Sequence, residues 1–337
     1  STAMKNEKLF MILAYPIIIL VALVAVAFLA SPIVLYTFPQ MHKFFIAHSL
    51  MITPPIEDIA DLHSGSFFIS VGSSTLAVWH IAPKIALEAG QHKAPFWKVL
   101  GKKDYRIVMY FHSRERDPPM FSSFCRMLLN DKRVEDRIQI ISFDYKGFGN
   151  SSGETTQSGA IEDTLSVYYW LRRNAHPETE IHFWSHGLGA GIASATAQRL
   201  ITDGEEVKSL VLEAPFYDTL TMLKSSSWIV RLYDKILYKS FFPESLKIID
   251  LNFNTTMSIS KIDVPTLVLS GEHDDKFKTE INARELVRVA RRHRDFLFHI
   301  EWRCPKITHW PGQQASNDEM KQILNGFRSA TAIFWNP

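Results

Sequence analysis

"HFWSHGLGAG", residues 182–191, decides how this chain folds. The run ending there, "EIHFW" (180–184), has the length and composition of a buried strand. The run that follows, "LGAGIASATAQRL" (188–200), reads as a helix built of small residues. Between them Ser185, Gly187 and Gly189 alternate with His186 and Leu188. A strand that turns into a helix within so few residues leaves space only for small side chains on either side of the turn. A glycine at the apex accepts backbone dihedrals that other residues resist.

Similar units recur along the chain. "FFISVGSSTLAVWHIAP" (67–83) reads as a hairpin of two strands. "RIVMYFHS" (106–113), "IQIISFDYKGFGNSSG" (138–153), "VKSLVLEAPF" (207–216), "VPTLVLSGEHDD" (264–275) and "FLFHIEW" (296–302) each contain a further strand. Helical patterns lie at 159–174, 280–293 and 318–334. Apolar strands alternating with helices predict an α/β fold, with a mostly parallel central sheet covered by helices on both faces. Residues 218–260 break the alternation. They are too long for one crossover helix and rich in Trp228, Tyr233, Tyr238, Phe241 and Phe242. Ligands in such sheets bind beyond the carboxyl ends of the strands, so an inserted cap is expected there, with a packed crossover helix as the plainer reading. No internal repeat or low-complexity tract is present.

The 337 residues suit one large domain with an appendage. With 46% apolar and 21% charged residues and a net charge of +2, nothing points to nucleic acid. Cys125 and Cys304 alone make neither a disulfide framework nor a metal site. At the N-terminus, residues 9–30 ("LFMILAYPIIILVALVAVAFLA") carry no charge, and a membrane-spanning helix needs about 20 apolar residues. A secretory signal is the competing reading, but its apolar core is about 7–15 residues. The expected organisation is a short tail 1–8, one transmembrane helix 9–31, a juxtamembrane connector 32–62, and a domain 63–337 with the cap at about 218–260. Lys5 and Lys8 precede the apolar run, and the positive-inside rule puts that end in the cytosol and the domain across the membrane.

Nucleophilic ester hydrolysis by a triad needs a hydroxyl, a His that takes its proton and an acid that orients the His. In one arrangement the nucleophile stands on a strand-to-helix turn, and the acid and the His follow in that chain order. Asp274, past a strand end and Gly271, is the candidate acid, with Asp275 beside it. His309, in "RCPKITHWPG", is the candidate base. The candidate nucleophile position is Gly187, which has no hydroxyl. Ser185 is the alternative nucleophile, but it lies two residues back along the strand, with Phe183 where a small flank is needed. In register, Ser185 and Gly189 are the flanks and Gly187 the elbow. His186 reads as structural.

The pieces "LAVWHIAP" (76–83), "FDYKGFGNSSG" (143–153), "HGLGAG" (186–191) and "GEHDD" (271–275) resemble the α/β-hydrolase domain-containing protein twelve family. These are membrane-anchored lysophosphatidylserine and monoacylglycerol lipases. The resemblance covers roughly 60–330 and the preceding anchor. It implies the α/β-hydrolase fold, no cofactor, no metal and membrane lipid as the partner. It also implies an endoplasmic-reticulum membrane with the domain in the lumen. Asp274 and His309 match the family's acid and base, and Gly187 matches its nucleophilic Ser. Leu188 and Ser113 match the oxyanion-hole positions, and Ser113 departs from the family's Gly. Losses at two key loops imply a pseudoenzyme that keeps the lipid-binding architecture. The competing expectation is an active serine hydrolase using Ser185 or an activated water. The run 114–117 ("RERD") offers a possible headgroup contact. Asn150 and Asn254 stand in glycosylation sequons, and Asn254 has the more open surroundings.

Overall fold

A computed structural model describes residues 2–38, 62–83, 100–101, 105–113, 118–129, 138–236, 244, 246–247, 250–271, 274, 278–293 and 297–302. In chain order the elements are α1 (Thr2–Thr37), β1 (Leu62–Val71), β2 (Ser74–Pro83), β3 (Arg106–Phe111), α2 (Pro118–Leu129) and β4 (Ile138–Phe143). Then come α3 (Gln157–Asn174), β5 (Ile181–His186), α4 (Leu188–Thr202), β6 (Ser209–Glu213), α5 (Thr219–Ser226) and α6 (Trp228–Ile236). The last are α7 (Thr255–Ile259), β7 (Thr266–Gly271), α8 (Ala283–Ala290) and β8 (Leu297–Trp302). The helical reading of 318–334 falls outside the described residues.

The eight strands form one sheet in the order β1-β2-β4-β3-β5-β6-β7-β8. β1 and β2 pair antiparallel through a two-residue turn at Gly72 (φ 61), and β2 runs antiparallel to β4. All other neighbours are parallel. The inner strands are buried along almost their whole length because both faces are covered. Alternation along each strand sorts the aromatic residues between the two faces. On one, Tyr110 and Trp184 meet Phe121 and Phe124 of α2, with Phe124 and Trp184 ring centroids 5.1 Å apart. On the other, Phe111 packs between Phe143 and Phe183.

α2 did not emerge from the strand-and-helix reading above. Its signals are Pro118 at the first helical position and an apolar stripe at Phe121, Phe124, Cys125 and Leu128, all buried. At the N-terminus the backbone is helical from Thr2 to Thr37. The helix therefore takes in the tail read as 1–8 and runs past residue 31. Among the described residues no helix is long and apolar enough to cross a membrane; within α1 the longest unbroken run of described side chains is 14–27. The segment 218–260 divides in two. α5 and α6 follow the carboxyl end of β6, whereas Leu251, Phe253 and Ile259 belong to the domain core.

α4 lies against the end of β3 with no space to spare. A methyl group at Gly189 would meet the Phe111 carbonyl carbon at 2.7 Å and the His112 carbonyl oxygen at 2.8 Å, both backbone atoms. At the opposite end of the sheet, polar side chains tie three strands together. Arg106 Nε donates to Glu180 Oε2 at 2.7 Å, and His182 Nδ1 lies 2.8 Å from Ser209 Oγ.

Two outcomes follow. Gly189→Ala should cost about 1–3 kcal/mol, because backbone cannot swing aside as a flexible side chain can. Gly65→Ala, which meets nothing within 4 Å, should stay within about 0.5 kcal/mol. Equal urea midpoints for the two variants would refute the contact. The second outcome concerns acid. The His182 ring and the Arg106 guanidinium hold the Glu180 carboxyl at about 2, below its ordinary 4.5. Its contribution is complete above pH 4.5 and is lost as pH falls toward 2. Burial pushes the His182 ring below its ordinary 6.5, so the unfolded chain takes up a proton that the folded chain refuses, and stability also declines below pH 6.5. Fluorescence-monitored urea unfolding should show both declines, and Glu180→Gln should flatten only the more acidic one.

Candidate active site

Five strands end together at one end of the sheet, and the described candidate residues lie at the ends of three of them. The register pairs Phe111 with Ser185, His186 with Glu213, and Glu213 with Leu269. Gly271 pairs with Trp302. The carboxyl ends of β3, β5, β6, β7 and β8 are therefore side by side; Ser113 follows β3, Gly187 and Leu188 follow β5, and Asp274 follows β7.

Gly187 sits between β5 and α4 with φ 53 and ψ −115. Its N–H donates to the Glu213 carbonyl at 3.0 Å, and its own carbonyl accepts from Ala190 N at 3.0 Å. The apex of the turn is thus fixed on both sides, by the neighbouring strand and by the new helix. Leu188 is the first residue of α4 and is half-buried. First-turn amides of a helix have no intrahelical carbonyl to bond, so this end of α4 is suited to receive negative charge.

Ser185 lies wholly inside β5. It is fully buried, and its hydroxyl donates to the Val211 carbonyl of β6 at 2.8 Å. His186 occupies the last position of the same strand and is also buried. Neither stands on the turn.

The loop after β3 is held from below. Ser113 is buried, and its carbonyl lies 2.7 Å from Nδ1 of His112. The His112 ring stacks on Tyr145, with centroids 4.5 Å apart, and meets the edge of Phe148. Tyr145 donates its hydroxyl to the His112 carbonyl at 3.1 Å. The support itself is braced. Asp144 Oδ2 accepts from Asn150 N at 3.0 Å, and Ser151 Oγ donates to the Asp144 carbonyl at 2.6 Å while accepting from Ala77 N at 2.9 Å. Lys146 then fixes the turn to α3, its N–H donating to Asp163 Oδ2 at 2.7 Å and its ammonium lying 3.0 Å from Oδ1. Burial raises the Asp163 carboxyl above the usual range, against the pull of Lys146. The "FDYKGFGNSSG" stretch is thus the brace for the loop that carries Ser113. Sequence reading located the stretch, but the contact between Tyr145 and residue 112 spans 33 positions and leaves no local signal.

Asp274 is buried three residues beyond the end of β7. Downstream of it, Thr279 Oγ1 donates to the Gly271 carbonyl. Asn282 then joins this loop to α5. Its Oδ1 accepts from Tyr217 N at 3.1 Å, and its Nδ2 donates to Ser225 Oγ at 3.2 Å. Asn282 was not singled out from the sequence; no motif marks it. β8 runs beside β7 and ends at Trp302, seven positions before His309. His309, Asp275 and residues 114–117 lie outside the described residues. Among the described residues no cluster of His, Cys, Asp and Glu is arranged to hold a metal ion.

Comparison with known proteins agrees with this architecture. A family model described as alpha/beta hydrolase fold matches residues 120–239. Similar solved structures include a Pyrococcus furiosus esterase (TM-score 0.54, 15% identity, covering 81% of this chain and 92% of that one). An alpha-beta hydrolase from Vibrio vulnificus has a TM-score of 0.57 at 13% identity, covering 78% of this chain and 81% of the other. At these identities the likeness shows the fold. Among sequence relatives, Lysophosphatidylserine lipase ABHD12 of Danio rerio is 23% identical, covering 73% of this chain and 66% of that protein. The Xenopus tropicalis protein of the same name is 26% identical over 82% of this chain and 71% of its own length. Protein ABHD12B of Homo sapiens is 27% identical over 68% and 62%. The match thus spans about two thirds of these relatives. With the strand order and the elbow, these comparisons give the chain the α/β-hydrolase fold, and in sequence it is similar to the ABHD12 proteins.

Proposed function

We propose that this chain is a membrane-anchored protein that binds lysophospholipid or monoacylglycerol and is impaired as a hydrolase at the nucleophile position. The observation that carries this reading is Gly187 at the elbow, φ 53, between β5 and α4. The turn on which a nucleophile would stand is intact, and its apex has no hydroxyl. Ser185 is a poor substitute. It lies about 6–7 Å back along the strand at about 3.3 Å per residue, and its hydroxyl is committed to Val211. Loss of the nucleophile alone costs about a million-fold in a comparable triad. Asp274 and His309 keep the acid and base positions of the motif order in the sequence. The relatives' activity on lysophosphatidylserine suggests the ligand class.

The reading predicts that a fluorophosphonate probe leaves the protein unlabelled. Gly187→Ser combined with Ser185→Gly should then give measurable ester hydrolysis that His309→Ala removes. Adding Ser113→Gly should raise the rate, since one oxyanion donor is worth about 100–1,000-fold. Labelling of the unmodified chain that disappears with Ser185→Ala would overturn the reading.

The anchor is α1. Its uncharged stretch 9–30 rises about 33 Å at about 1.5 Å per residue, close to the roughly 30 Å hydrocarbon core of a bilayer. Its described apolar side chains, among them Ile17, Leu20, Val24 and Leu29, are exposed. With Lys5 and Lys8 on the cytosolic side, the domain lies in the lumen of the endoplasmic reticulum. Asn254 reports on this. It is exposed, and its Oδ1 accepts from Met257 N at 2.8 Å to cap α7, which leaves the amide nitrogen for a glycan. Expression with microsomes should give a glycoform lost in Asn254→Gln and a domain protected from protease until detergent is added. Digestion without detergent would place the domain in the cytosol instead.

A further inference from the structure

Between α5 and α6 lies an open cleft of about 540 Å³ lined by Lys224, Arg231, Asp234 and Lys235. Three of these four side chains are cations, and the single carboxylate is committed: Asp234 Oδ2 lies 2.7 Å from Lys224 Nζ. That pair holds the Lys224 ammonium at the cleft instead of leaving it to sweep through solvent. Arg231 is fixed as well. Its Nη1 donates to the Lys224 carbonyl at 3.0 Å and to the Ser225 carbonyl at 3.3 Å. A guanidinium has five N–H groups, so the remaining nitrogens can take a phosphate in the forked geometry that Arg supplies. Lys235 is four residues on along α6, hence on the same face, and has no ion-pair partner among the described residues.

The cleft is also linked to the candidate site through α5. α5 starts six residues beyond Glu213, the residue whose carbonyl holds Gly187 N. Its last turn is pinned through Ser225 to Asn282, on the loop that follows Asp274. The cationic walls therefore belong to the segment between β6 and β7, which Ser225 and Asn282 tie to the stretch that follows Asp274.

From this we infer that Lys224, Arg231 and Lys235 form an anion subsite that takes the phosphate of a lysophospholipid headgroup. The inference rests on the lipid-binding reading above and deepens it. It separates two ligands that reading leaves together, because a monoacylglycerol has no phosphate to place there.

The test uses the full chain in neutral detergent. Binding of a short-chain lysophosphatidylserine, below its micelle concentration, is compared with that of the monoacylglycerol of the same acyl length. The lysophospholipid should bind at least about tenfold more tightly, as charge-assisted bonds imply. The triple variant Lys224→Gln, Arg231→Gln, Lys235→Gln should bring it down to the monoacylglycerol value, which itself stays unchanged. Lys235→Glu alone, which breaks no described contact, should lower it in part, so a folding defect in the triple variant does not decide the matter. Inorganic phosphate at millimolar concentration should compete with the lysophospholipid and not with the monoacylglycerol. If the variants keep the preference for the lysophospholipid, the subsite is refuted. If they keep it and lose only adhesion to phosphatidylserine vesicles relative to phosphatidylcholine vesicles, the cations face a membrane surface and the subsite is refuted as well. If neither lipid binds the unmodified chain, the lipid-binding reading itself fails.

Discussion

The closeness of α4 to the end of β3 is the constraint on which the rest of this structure depends. Backbone meets backbone at Gly189, with no room for even a methyl group between helix and strand. That contact sets where the first turn of α4 starts, and so where the elbow at Gly187 must bend. It also fixes the carbonyls of Phe111 and His112, and with them the loop that carries Ser113. Every other support near the site acts on one side of this junction. Tyr145 holds His112 from the β4 side, and Glu213 holds Gly187 from the β6 side. A rigid junction braced from two directions is what positioning a reacting carbonyl would need.

Much of this was legible in the sequence because it is local. Strand, tight turn and small-residue helix follow one another within about twenty residues, so the period and the small side chains could be read directly at 180–200. The hairpin at β1 and β2 was equally plain, with Gly72 between two runs of strand-forming residues. What could not be read depends on distant partners. The Ser185 hydroxyl looks like a nucleophile in a string of letters, and only the register of β5 against β6 reveals that it is spent on Val211. Asn282 looks like any polar residue before a helix, yet it joins the acid loop to the cap. α2 was not read because it opens on Pro118 and Pro119, a pair that in sequence looks like loop. At the first helical position, however, proline loses no hydrogen bond that the helix would have used.

The segment between β6 and β7 shows how composition can mislead about layers. Its aromatic residues suggested one continuous cap. In the fold, Phe253 closes over Gly191 of α4 and joins Phe216 in the core, whereas Trp228 of α6 is exposed. The same kind of residue is core in one half and surface in the other. The difference is set by distance from the sheet. Residues 251–260 lead into β7 and pass over α4, α5 rests Leu220, Met222 and Leu223 against the core, and α6 leaves Trp228 exposed.

The elbow itself is a point of backbone strain that glycine relieves. A non-glycine residue at φ 53 and ψ −115 is held in a sparsely populated region, at a cost of about 1–3 kcal/mol. An enzyme tolerates that strain because the hydroxyl must project from the apex. With Gly187 the strain is gone together with the hydroxyl, since glycine adopts positive φ freely. Glycine in place of serine at this apex would therefore remove the hydroxyl and relax the turn in one step, and nothing in the junction would have to shift to accommodate it. Glycine also gives the unfolded chain more freedom, which offsets part of the relief, by about 0.4–1 kcal/mol. The fold thus needs the junction whether or not a hydroxyl stands on it, because the packing of α4 on β3 at Gly189 is the same in either case.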